Sequence, residues 1–310
     1  MSSYFAFVRP SIGSWTVYGL GSGNRNLPAF VSIGGSSRSS ANVFLPAATA
    51  GTRIDARAGS EADEMLNHLR SQTTSLREQR RQLDLLRTMN ASHLKERPGD
   101  NWLEGRIGAF ETAFRMQIEA SDAFDISREP KSIRDLYGDT DQGNKLLLAR
   151  RLAERGVRYV QIVHPGWDTH EDNDNRHRSL CAEADQPLAA LLHDLKQRDL
   201  LEDTLVIWGG EFGRTPTTDI NGVRKIRGRD HNAGGYSIWM AGGGVKGGHV
   251  HGATDRFGAV ATEGKMEIHD LHATVLALLG LDHEKLTYRH ASRDYRLTDV
   301  HGRVFDEIFA

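Results

Sequence analysis

GVRYVQIVHPGWDTH, residues 156–170, runs from a glycine through a short apolar segment into a loop that carries one acid and two histidines. A run of four to eight apolar and β-branched residues bounded by turn residues reads as a buried strand, here Val157–Val163. Just upstream, Lys145–Arg155 has helical periodicity and closes at Gly156, a residue suited to the left-handed turn that ends helices. Downstream come a long helical pattern over Arg176–Arg198, a second apolar strand over Thr204–Trp208 and a third over Tyr236–Ala241. A helix over His269–Leu279 follows, closed by Gly280. Helix and strand alternate, which predicts an α/β sheet covered by helices. Such sheets collect ligands at the carboxyl ends of their strands.

Toward the amino terminus the pattern weakens. Residues 9–40 scatter Gly, Ser and Asn among aromatics, which reads as loops with a short strand at Ala29–Ile33 and little regular structure before Gly51. From Glu61 onward, Met65, Leu69, Leu76, Leu83, Leu86 and Met89 recur amid Arg and Glu, predicting a long amphipathic helix. A second helix over Trp102–Ala120 follows the Pro98-Gly99-Asp100 break, so residues 60–125 read as a helical insert in a single domain whose site core spans 145–310. The apolar stripes of these helices read as packing, and their charges as a solvated face.

With 310 residues, 38% hydrophobic and 26% charged, the chain has an ordinary globular composition. Lys+Arg 39 against Asp+Glu 41 gives a formal net charge of -2, without the basic excess of a general nucleic-acid binder. No apolar run approaches the roughly 18–20 residues needed to cross a bilayer. MSSYFAFVRPSIG lacks the basic start and apolar core of an export signal. The expectation is a protein with neither nucleic-acid nor membrane partners. Cys181 is the one cysteine, so no intramolecular disulfide is available, and its helical setting reads as a small buried residue.

Candidate chemistry lies where the strands end. The first strand runs into Asp168 and His170, the second into Glu211 and Arg214, and Asp230 and His231 precede the third. Neutral imidazole donates a lone pair and a carboxylate offsets cationic charge, so this set suits a divalent ion of the zinc or manganese type. Each element alone has a plainer reading. Asp168 and His170 could be a surface turn, Glu211 a buried carboxylate satisfied by Arg214, and His231 a cap or a carbonyl partner. Arg214 could hold a phosphate or sulfate bidentately or pair with Glu211 or Asp230. Arg224, Lys225, Arg227 and Arg229 read as exposed charge. His177, His193, His272 and His283 read as packing or solvent-facing. His249 and His251 read as structural residues flanking a strand after Gly248, with His251 able to approach the site. Gly242-Gly243-Gly244 with Lys246 lacks the order of a phosphate-binding loop, which excludes nucleotide binding by that route.

Four motifs carry a family resemblance: WDTH at 167–170, GGEFGRTP at 209–216, GRDHN at 228–232 and AGGGVKGG at 241–248. With RPSIGSWTVYGLGSGNRNLPAF at 9–30, AFDISREP at 123–130, LLLARRLAERGVRYVQ at 146–161 and IHDLHATVLALLGL at 268–281, they extend it over essentially the whole chain. The sequence resembles the domain-of-unknown-function 1501 family, a branch of the alkaline phosphatase-like superfamily that includes sulfatases and phosphomutases. The resemblance implies an α/β alkaline phosphatase-like sheet flanked by helices. It also implies one or two divalent ions, zinc first and manganese or calcium as alternatives, held by Asp168, His170, Glu211 and His231. Asp230 and Arg214 are the implied catalytic candidates, and the implied substrate is a small phosphate or sulfate ester.

Two departures from the superfamily pattern accompany this. Glu211-Phe212 stands where an Asp-His or Asp-Asn pair is usual. The upstream segment that delivers a first strand, an Asp ligand and a Ser, Thr or modified Cys nucleophile is missing, and Ser11 and Ser14 match loop positions instead. The expectation is an N-terminally truncated sheet whose full-length relatives are exported. Two functions follow: a metal-dependent hydrolase-like protein, or a non-catalytic family member with a structural or binding role.

Overall fold

The computed structural model describes residues 8–36, 39–54, 73–96, 101–210, 212–217 and 228–310. The protein is a mixed α/β chain that divides into two compact units, Met1–Val163 and His164–Ala310.

The first unit is built on a parallel sheet in which β1 (Phe30–Ile33) lies between β2 (Thr52–Ile54) and β3 (Tyr159–Ile162). Val31 pairs with Thr52 on one side and Val160 on the other. Central parallel strands are covered on both faces, and all four β1 residues are buried. Val31, Ile33 and Ile54 join Met116, Phe124, Leu148, Leu152 and Val157 in the apolar core.

Where loops are expected before Gly51, the chain forms helix α1 (Ile12–Leu20). Ser11 caps it, its hydroxyl accepting from the Ser14 amide at 3.2 Å, and Trp15 and Val17 are buried along it. Three glycines in and beside this segment hide the helical pattern, and Gly21 then ends it with a positive φ of 68°.

Residues 61–72 of the expected amphipathic helix lie outside the described residues. Its later part is α2 (Leu76–Glu96), and the next helix is α3 (Asn101–Phe124). Arg80 joins the two, bonding Glu111 at 3.0 Å and lying 5.1 Å over the Phe114 ring. Of the expected stripe, Leu76, Leu86 and Met89 are exposed and Leu83 is half-buried, so these residues of α2 are not packed as their spacing suggests. Arg80 meets α3 through its charged end, which bonds Glu111 and stacks as a cation over the Phe114 ring.

After α4 (Lys131–Tyr137), helix α5 (Asp141–Glu154) starts at Thr140, whose hydroxyl accepts from the Gly143 amide at 3.0 Å. Its Leu146, Leu147, Leu148 and Leu152 are buried. Arg150 and Arg151 are buried with them, and both reach Glu129: Arg150 Nη2 is 2.7 Å from Oε2, and Arg151 takes Oε1. Arg151 also donates to the carbonyls of Ala123 and Asp122. Desolvation opposes ionisation of Glu129, but the two guanidiniums hold its carboxyl below the usual range.

The second unit opens with a loop and helix α6 (Asn173–Gln197), which accommodates Pro187 internally. Two ladders follow: β4 (Val206–Gly209) pairs antiparallel with β7 (Ile238–Ala241), and β5 (Gly213–Arg214) with β6 (His231–Asn232). Helix α7 (Ile268–Leu278) begins with a capping box from Glu267 and Asp270. Small ladders β8 (Ala253–Thr254) with β9 (Ala261–Glu263), and β10 (Tyr288–His290) with β11 (Arg293–Tyr295), complete it. The strand expected right after Gly248 starts only at Ala253. Cys181 is exposed, not buried: α6 turns its apolar face through Ala184, Pro187, Ala190, Leu191 and Leu195. Among the described residues, no helix is long and apolar enough to cross a membrane.

Candidate metal centre

The loop of residues 164–172 carries no regular structure, so its geometry rests on side chains. Trp167 is its anchor. The indole meets the His164 ring edge-on at 5.5 Å, the His177 ring of α6 at 5.3 Å and the Trp208 ring of β4 at 5.7 Å. Its Nε1 donates to His164 Nδ1 at 3.2 Å. Beyond it, fully buried Thr169 accepts from Asn173 Nδ2 at 2.8 Å, which ties the loop to the first residue of α6. Asp168 and His170 flank that buried threonine.

His231 comes from β6, directly opposite Arg214 on β5. A ladder of two residue pairs is too short to stand alone, and neighbouring bonds extend it. The Thr215 amide donates to the Asp230 carbonyl at 2.9 Å, and the Asp230 amide to the Thr215 hydroxyl at 3.2 Å. Two glycines permit the close approach. A Cβ on Gly228 would sit 1.8 Å from the His170 carbonyl oxygen, and one on Gly213 would sit 2.1 Å from that of Gly235. Only a residue without a side chain lets GRDHN lie against the histidine loop.

Three side chains converge. Asp168 Oδ1 lies 3.0 Å from His170 Nε2 and 3.1 Å from His231 Nε2, and the two imidazole nitrogens lie 3.1 Å apart. They form the one group of three or more potential metal-donor residues among the described residues. The side chains of His170 and His231 are 30% and 36% exposed and that of Asp168 is 68% exposed, so the cluster opens to solvent. Desolvation works against ionisation of Asp168. The Arg214 guanidinium, followed by His231 and His170, nevertheless holds its carboxyl below the usual range. Asp230 stands behind: its Oδ1 accepts from the His231 amide at 2.8 Å and lies 3.7 Å from His170 Nδ1.

Among the residues expected at the site, Asp168, His170 and His231 are brought together, with Asp230 and Arg214 against them. Glu211 lies outside the described residues, as do Arg224, Lys225 and Arg227 of the basic stretch. Arg229 is half-buried and donates to the Thr215 carbonyl at 3.0 Å, so it is not the exposed charge it reads as. Among the described residues, the carboxylate that Arg214 meets is not Asp230 but Asp168, at 3.4 Å. His251 is engaged elsewhere, 2.7 Å from the Gly264 carbonyl and packed on Phe305. Sequence reasoning passes over Trp167, Thr169, Asn173 and Thr215, although the Trp and Thr inside the WDTH motif and the Thr after Arg214 were available as signals.

A family model described as "Protein of unknown function (DUF1501)" matches residues 2–309. The chain belongs to this family. Comparisons with curated proteins and with solved structures find no match. In this DUF1501 chain the family match spans every residue of the cluster and of the loops that carry it.

Proposed function

We propose that this protein holds a divalent metal ion on Asp168, His170 and His231 and acts as a metal-dependent hydrolase on small phosphate or sulfate esters, as a member of the alkaline phosphatase-like superfamily. The observation that carries this reading is the convergence of one carboxylate and two imidazole donors at separations of 3.0 to 3.1 Å. Ligand distances of about 2.0–2.1 Å in a tetrahedral site put neighbouring donors roughly 3.4 Å apart, so the cluster is within a few tenths of an ångström of that requirement. Two nitrogen donors favour zinc or manganese over calcium, which prefers oxygen throughout.

A bound divalent ion would supply Lewis acidity toward an ester oxygen. The chain's own residues do the rest. Asp168 contributes negative charge, kept ionised by Arg214. Asp230 faces the outer nitrogen of His170 and fixes the His231 backbone, an arrangement in which a carboxylate orients an imidazole ligand. The exposure of Asp168 leaves an open side for a substrate. A second reading, a non-catalytic binding protein, draws on the makeup of the cluster: its three members are all potential ligands, and none carries a hydroxyl or thiol nucleophile.

Elemental analysis of protein purified without chelator tests the proposal, alongside Asp168→Ala and His231→Ala. The expected result is about one zinc or manganese per chain, lost in both variants, with hydrolysis of an aryl phosphate or aryl sulfate by the loaded protein. A folded wild type without metal overturns the reading, and metal without turnover leaves the binding role.

A further inference from the structure

Arg214 has the chemistry of an anion clamp, yet its contacts face inward. Nη2 donates to the Trp167 carbonyl at 2.7 Å and reaches Asp168 Oδ1 at 3.4 Å, while Nη1 donates to the Arg229 carbonyl at 3.3 Å. Its side chain is only 15% exposed. The two carbonyls belong to the two segments that deliver the cluster: Trp167 immediately precedes Asp168, and Arg229 lies two residues before His231. Arg229 answers in the opposite direction by gripping the Thr215 carbonyl at 3.0 Å. The paired arginines thus extend a two-residue ladder with side-chain bonds. The Trp167 carbonyl has a second donor, the Thr169 amide at 2.9 Å, so the turn bearing Asp168 is closed from both sides.

We infer that Arg214 is a positioning residue that sets the spacing between Asp168 and His231, and not the receptor for an anionic substrate group. The inference deepens the metal reading and rests on it for the metal arm of its test. A planar guanidinium reaches three acceptors at fixed angles, and a lysine ammonium on its flexible stem cannot reproduce that fork. Partners that orient metal ligands are typically worth 10- to 100-fold in metal affinity.

The test compares wild type with Arg214→Ala and Arg214→Lys in the full chain. Zinc affinity is measured by chelator competition, inorganic phosphate affinity on the zinc-loaded forms at equal occupancy, and amide exchange on the metal-free forms. Arg214→Ala is expected to weaken zinc binding 10- to 100-fold while the chain stays folded. Arg214→Lys is expected to recover part of that loss, and phosphate affinity at equal occupancy is expected to stay within about twofold of wild type. Zinc affinity within twofold of wild type, combined with a tenfold or greater loss of phosphate affinity, overturns the inference in favour of an anion receptor. If wild type binds no zinc, the metal reading fails by itself and exchange decides the inference. Faster exchange of the Thr169 and Thr215 amides in Arg214→Ala supports positioning, and unchanged exchange overturns it.

Discussion

The Glu129 cluster of the first unit and the candidate centre of the second hold their charged groups in opposite ways. In the first, charge is sunk into an apolar core: Arg150 and Arg151 are buried against Glu129 beside Leu148 and Leu152. In the second, the charged groups of the candidate centre sit near the surface on a loop and a two-residue ladder, held by hydrogen bonds from Arg214, Asn173 and Thr215. The difference separates two tasks. Buried compensated charge resists change because removing one partner strands the other, whereas a site built from exposed donors stays free to exchange protons or a metal ion. Substitutions in the first unit should therefore be read in stability, and those around the centre in ligand affinity.

The largest effect expected is that of Glu129→Ala. Removing the carboxylate that two buried guanidiniums share leaves Arg150 with Glu154 and Arg151 with the Ala123 and Asp122 carbonyls, and should cost about 3 kcal/mol, the low end for a broken buried pair. Urea denaturation should show it as a drop in midpoint, with metal stoichiometry of the remaining folded protein unchanged. A metal loss at full occupancy of the folded state would break the separation between the units.

Next comes an acid effect within the second unit but away from the centre. Burial, and then the neighbouring His269, pushes the His272 imidazole down to about 4. In the unfolded chain the same group titrates near 6.5. Between these values the unfolded state binds more protons, so stability is full above about pH 6.5, declines as the pH falls toward 4 and then levels off. Because His272 is only half-buried, the loss is about 1–3 kcal/mol. Melting temperatures across pH 4–7 in wild type and His272→Gln check it, and equal slopes in the two proteins would refute it.

The smallest effect expected is that of Asn173→Ala, which removes the donor to buried Thr169. A single neutral hydrogen bond contributes about 1 kcal/mol. Its loss should scarcely move the urea midpoint while weakening zinc binding several-fold, since Thr169 lies between the two ligands of its loop. A stability loss without any change in zinc affinity would show that the Trp167 ring contacts and the Arg214 bonds hold the loop without Asn173.

The cluster was legible in the sequence where chemistry and punctuation coincide. Asp168 and His170 stand out because a carboxylate and an imidazole follow an apolar run, and His231 because it stands just before one. Helix α5 and strands β1, β3, β4 and β7 were legible from their apolar runs, to within a few residues at their ends. Pairing was not: period and composition do not say that β7 runs antiparallel to β4, because that choice belongs to the connection between them. Helix α1 was hidden by glycines that break its propensity while Ser11 and buried Trp15 secure it. The inward turn of Arg214 was equally invisible, since its partners are backbone carbonyls that every sequence possesses. The exposed leucines of α2 and the exposed Cys181 fail for a shared reason: spacing gives a helix its stripe but does not provide the partner that covers it.

That cysteine carries a further consequence. A chain whose one thiol faces solvent on α6 has no internal mate for it, so any disulfide it forms must join two molecules. Where that second molecule is another copy of the chain, the disulfide doubles the mass, and a reductant returns single chains.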